Sequence, residues 1–170
     1  MGGRIAQGLR SRADGVSELL LTALRACDDA RGGGAVRRNG KGLRSILAQD
    51  PDHATTLNAL GYTLTNHTQR YQEAADLIER ALVLSPGDPA ILDSLGWVYY
   101  KLGQFAQSEA LLRQAHRTLP DPEVAAHLGE VLWVQGKQIE AREIWRDGLS
   151  KVPDHNIILE AVERLGADLP

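Results

Sequence analysis

Five histidines, 22 carboxylates and one cysteine are the side chains of this 170-residue sequence that could carry acid–base or metal chemistry. The histidines are His53, His67, His116, His127 and His155, and no two are four residues apart. That spacing is what sets two imidazoles on one helix face around a metal, and no cysteine stands at ligand distance from any of them. The serines are scattered, without the Gly-x-Ser-x-Gly turn that exposes a nucleophile. The stretch Gly34–Gly42 carries Gly40-Lys41, but a phosphate loop needs glycine where Ala35 stands and a hydroxyl where Gly42 stands. Glu73, Glu79, Glu140 and Glu143 fall where helices are expected to face water. The expectation is therefore a non-enzymatic chain without metal or cofactor.

Charge and hydropathy narrow the partner classes. Residues 1–44 hold nine Lys/Arg against four Asp/Glu, whereas residues 45–170 hold ten against eighteen. An acidic body repels phosphate backbones, so nucleic acid is not an expected partner. No apolar run approaches the roughly 18–20 residues that span a bilayer, so no membrane insertion is expected. The short run Leu19–Leu24 before Cys27 has the outline of a lipoprotein signal. Asp14, Glu18 and Arg25 all stand where such a signal requires other residue types. Without an export signal in this chain, the expected compartment is the cytoplasm.

The elements that must position any binding surface are repeats. Leu60-Gly61, Leu95-Gly96 and Leu128-Gly129 align three segments, and each is followed by a second apolar stretch ending at Pro86, Pro120 or Pro153. The middle unit shows the physics. Asp88 can cap a first helix and Pro89 suits its first turn, where no amide donor is needed. Leu92, Leu95, Gly96 and Tyr99 then share one face at spacings of three and four. Gly103 supplies a turn. Ser108, Leu111, Leu112 and Ala115 line the inward face of a second helix, which Pro120 ends. In the first unit, residues 54–88, the turn at Asn66–Arg70 is expected to be one residue longer and lacks glycine. In the third, residues 122–155, Gly148 replaces the usual alanine and Trp145 is expected in the core. Residues 156–166 read as a capping helix with Ile157, Ile158, Ala161, Val162 and Leu165 inward and Glu160, Glu163 and Arg164 outward.

This pattern of Leu-Gly, aromatic, turn glycine, small residue and proline resembles the tetratricopeptide repeat family, at 34 residues per helix pair. The resemblance implies an all-α fold, a right-handed superhelical solenoid of antiparallel helix pairs. It would comprise three good repeats, a degenerate N-terminal repeat and a C-terminal capping helix over residues 41–166. More narrowly, Leu60-Gly61-Tyr62, Leu95-Gly96-Trp97 and Leu128-Gly129-Glu130 sit in segments similar to the last repeats of proteobacterial tetratricopeptide proteins. Those include lipoprotein adaptors of a periplasmic carboxyl-terminal processing protease. That resemblance implies a periplasmic or outer-membrane-associated site.

In such repeats the first helices line a concave groove. Family positions map onto Asn58 and Tyr62 in the first unit, Asp93, Trp97, Tyr100 and Lys101 in the second, and His127, Glu130 and Trp133 in the third. Four of the chain's eight aromatic residues thus fall on one face. Aromatics beside carboxylates suit a protein or peptide offering apolar and basic side chains. The function implied is a protein–protein interaction scaffold; the alternative is a homodimer formed through a poorly capped N-terminal edge.

That edge departs from the pattern. Nine of the 17 glycines lie within residues 1–44. Gly32-Gly33-Gly34 and Gly40-Lys41-Gly42 would each weaken a helix, at roughly 1 kcal/mol per interior glycine. Three readings compete for residues 1–40: a degenerate repeat with a helix over about residues 15–31, a disordered basic arm, and a frameshifted translation joined to a genuine array near Leu43.

Overall fold

The computed structural model describes the backbone of residues 33–169 and the side chains of residues 40–169. The readings offered for residues 1–32, Cys27 included, lie outside the described residues. Eight α-helices and no strand occur among the described residues: α1 (Gly33–Gln49), α2 (Ala54–His67), α3 (Tyr71–Leu84), α4 (Pro89–Lys101), α5 (Phe105–Thr118), α6 (Pro122–Val134), α7 (Gln138–Lys151) and α8 (Asn156–Leu165). They fall into two compact units, one ending at Leu84 and one beginning at Ser85.

In the first unit α2 packs against both α1 and α3. Leu43 and Ile46 of α1 are buried, as are Leu57, Leu60 and Leu64 of α2 and Ala74, Ile78 and Ala81 of α3. Helix α1 contains Gly33, Gly34, Gly40 and Gly42, so the helix runs through glycines expected to oppose it. Tertiary burial of its apolar side chains outweighs the weak local preference. The expected long turn is also resolved differently. The α2–α3 connection has the same length as the other two hairpin turns, and the additional residue extends α2 itself. Thr68 replaces the turn glycine by capping. Its hydroxyl donates to the Leu64 carbonyl at 2.7 Å and accepts from the Arg70 amide at 3.1 Å.

In the second unit, hairpins α4–α5 and α6–α7 stack through α5 against α6, and α8 closes on α6 and α7. Asp88 caps α4, accepting from Ala90 N at 2.9 Å, and Asp121 caps α6, accepting from Glu123 N at 2.9 Å. Gly103 and Gly136 turn the chain at φ 77° and 81°. Close approach within each hairpin depends on the Leu-Gly glycines. A methyl at Gly96 would come within 2.6 Å of Leu112 Cγ, and one at Gly129 would overlap the Trp145 indole. Trp145, wholly buried, anchors a core with Leu112, Leu128, Val131, Leu132 and Ile158. Gly148 stands where alanine is usual because Ile158 of α8 would lie 2.7 Å from a Cβ there.

Candidate protein-binding surface

The residues expected to line a groove do not all meet solvent. Within the second unit the structure brings six of them together on α4 and α6. Asp93 and His127, 34 residues apart, form a buried pair with Nδ1 3.0 Å from Oδ1. Trp97 stacks on His127 at a centroid distance of 4.2 Å and on Tyr100 at 5.1 Å. The Lys101 ammonium lies 4.1 Å from the centre of the Trp97 ring and 5.3 Å from that of Tyr100, a cation–π arrangement. Glu130 is buried and accepts a forked pair of bonds from Arg164 of α8, at 2.9 and 2.6 Å.

Each environment sets a charge state. Burial opposes a charge on His127, but Asp93, reinforced by Glu123 and Glu130, outweighs it and raises the imidazole above its ordinary value. Burial and the hydrogen bond to Glu130 push the Tyr100 phenol up to about 12. Burial holds the Lys101 ammonium below its ordinary value, against the opposing pull of Glu130.

The other expected residues stand apart from this cluster. Trp133 is half-buried, tilted on Trp145 at 5.7 Å with the Arg142 guanidinium 4.8 Å from its ring centre. Arg142 also donates to the Asp168 carbonyl at 2.8 Å, which ties the segment after α8 to this place. Asn58 and Tyr62 belong to the first unit, where both are half-buried. The Asn58 Oδ1 is buried without a hydrogen-bond partner among the described residues.

Arg164 is the member of the cluster that sequence reasoning assigned only to water. The signal that finds it is an offset: Asp93–His127 and Glu130–Arg164 are both separated by 34 residues, one repeat. A carboxylate followed one period later by a cation marks a pair between stacked first helices. Both carboxylates expected to greet basic side chains of a partner are thus engaged inside the chain.

The arrangement offers recognition chemistry. Asp93 and His127 have the form of an acid–base pair, but their relative exposures of 6% and 2% close them to a substrate. No group of three or more His, Cys, Asp or Glu among the described residues is placed to hold a metal ion. No helix among the described residues is long and apolar enough to cross a membrane.

Comparison with known proteins agrees with this geometry. Three family models described as tetratricopeptide repeat match residues 42–89, 67–131 and 122–147. The chain is 58% identical over 90 residues to the TPR repeat-containing protein PA4667 of Pseudomonas aeruginosa, covering 53% of this chain and 15% of that protein. It is 27% identical over 105 residues to the human protein O-mannosyl-transferase TMTC1, covering 57% of this chain and 12% of that protein. The chain therefore spans less than a sixth of the length of these two curated relatives. Among solved structures, TTC0263, a thermophilic TPR protein of Thermus thermophilus, superposes with a TM-score of 0.64 at 20% identity, covering 95% of this chain and 94% of that one. MamA superposes with a TM-score of 0.61 at 21% identity, covering 82% of this chain and 84% of that one. At these identities the structures speak for the fold alone. The repeat period, the helix pairs locked at their Leu-Gly glycines and the three family matches agree, and the chain belongs to the tetratricopeptide repeat family.

Proposed function

We propose that the chain is a non-enzymatic interaction scaffold that holds a protein or peptide against the first-helix faces of its repeats. The observation that carries this reading is the set of half-buried aromatic side chains at those positions, Tyr62, Tyr100 and Trp133. A half-buried ring keeps apolar area for a partner at little entropic cost, and tyrosine and tryptophan are the usual anchors of protein interfaces. In this reading Asn58 and Tyr62 are the contact residues of the first unit, and in the second unit Tyr100, Lys101 and Trp133 meet a partner beside a buried floor of Asp93, Trp97, His127 and Glu130. The solenoid spans residues 41–166, with repeats 54–88, 89–121 and 122–155 and the capping helix 156–166. The adaptor resemblance names the partner class to try first, a periplasmic carboxyl-terminal processing protease.

Affinity capture with the wild-type chain, Tyr62→Ala and Trp97→Ala/Tyr100→Ala tests this. Melting curves would accompany each variant, because Trp97 is itself buried. Truncating a central aromatic anchor should weaken binding by roughly 2 kcal/mol or more. Undiminished recovery by folded Tyr62→Ala and Trp97→Ala/Tyr100→Ala would count against these faces.

A further inference from the structure

One cleft in the second unit lies beside the aromatic cluster and opens at the α4–α5 turn. It is a shallow hollow, open to solvent, of about 350 Å³ and is lined by Tyr100, Lys101, Gly103, Phe105 and Val134. That volume is at the lower end of the roughly 300–1,000 Å³ of small ligand pockets. Its walls are apolar and partly open: Phe105 and Val134 are each 40% exposed, and the Phe105 ring is tilted against Tyr100 at 5.8 Å. Large apolar side chains flanking a concave surface are where a partner's side chain gains most from leaving water.

The charge at the cleft is not balanced in the way neighbouring charges are. Arg164 holds Glu130, Lys137 holds Glu109, and Arg113 joins Glu109 to Glu140. Lys101 has no carboxylate within ion-pair distance among the described residues; its ammonium rests on the faces of Trp97 and Tyr100. Glu130 attracts this ammonium but is itself bonded to Arg164, which repels it, so a carboxylate arriving with the partner would relieve the cost of keeping the charge half-buried. The cluster's own carboxylates are committed to His127 and Arg164, so the charge left to be matched is positive.

We propose that the cleft at the α4–α5 turn docks a peptide segment presenting a large apolar side chain beside an Asp or Glu side chain. The apolar side chain sits between Phe105 and Val134, and the carboxylate meets Lys101. A side-chain carboxylate fits better than a chain terminus. The cleft supplies one ammonium, enough for a carboxylate that keeps its other lone pairs in water, whereas capture of a terminus draws on several donors at once. The proposal rests on the protein-binding reading above and gives that reading an acidic, apolar partner segment instead of a basic one.

The test is selection of a random peptide library, displayed with both peptide ends inside the fusion, on the full chain. The enriched peptides should share an apolar residue next to Asp or Glu. One of them, acetylated and amidated, is then titrated by fluorescence anisotropy against wild type, Lys101→Met, Lys101→Glu and Phe105→Ala. Affinity should fall about tenfold or more in Lys101→Glu and Phe105→Ala, and less in Lys101→Met, which keeps the stem over Trp97. Raising the salt concentration should weaken binding to wild type and leave Lys101→Met nearly unchanged. Far-ultraviolet circular dichroism melts identify variants that remain folded, and Lys101→Met serves as the mild substitution if Phe105→Ala does not.

Enrichment without an acidic residue, equal affinity for Lys101→Glu, dependence on a free terminal carboxylate, or no enrichment at all would each overturn the proposal. Peptides that bind Lys101→Glu normally but are lost in Tyr62→Ala would sink the cleft and leave the scaffold reading in place.

Discussion

His127 is a buried imidazole whose charge is decided by what surrounds it. Asp93 bonds it from α4, Trp97 covers its ring, and Glu123 and Glu130 lie along its own helix. Its folded pKa is raised, so its contribution to stability is fully present below the ordinary value of about 6.5 and is lost as pH rises through the folded value. In Asp93→Asn the carboxylate is gone and burial alone acts on the ring, so protonation becomes costly. The gap in unfolding free energy between wild type and Asp93→Asn should widen as pH is lowered from about 8 to about 6. Urea titrations at several pH values measure it, and a pH-independent gap would refute the assignment. Counting repeat positions was enough to group Asp93 and His127 on one face. That they bond each other was not legible, because burial at one repeat is made by the next. Arg164 was not legible for the same reason: on its own helix it is an outward arginine, and only the stacking of α8 on α6 brings it to Glu130.

Between helices, contact distance decides. In isolation Gly129→Ala should strengthen α6 by roughly 1 kcal/mol. In this hairpin the added methyl overlaps the Trp145 indole, which is wholly buried. Overpacking of this kind costs about 1–3 kcal/mol, so Gly129→Ala should lower the melting temperature, which differential scanning calorimetry reads directly. Gly96→Ala should do the same against Leu112. The Leu-Gly pairs were the most legible feature of the sequence because a glycine in mid-helix has few other uses. The α2–α3 turn was read less well. The additional residue of this unit was expected in the turn, which lacks glycine, but Thr68 supplies the cap through its hydroxyl and the helix takes the additional residue. Thr68→Val keeps the shape and removes both bonds. It should destabilise by about 1–3 kcal/mol, whereas Thr68→Ser should be close to neutral.

Across the described chain, burial is unevenly distributed. All nine residues from Val124 to Leu132 in α6 are buried, and neighbours flank this helix on several sides. Helix α1 carries four glycines and packs chiefly on α2. Hydrogen exchange followed by mass spectrometry should find α6 amides the slowest and α1 amides the fastest among the described helices. Equal protection of the two would contradict that ranking. The Asp93–His127 and Glu130–Arg164 pairs carry a further consequence. Repeat arrays are usually thought to lengthen by copying a unit, since each unit contacts only its neighbours. Here a second copy of residues 122–155, spliced in after residue 155, would set the copied glutamate opposite Glu130 and the copied histidine opposite His127. Like would then face like at both buried positions, and Arg164 would serve the copied glutamate and leave Glu130 without its partner. The repeats of this unit behave as words in a sentence: similar in form, but readable in one order.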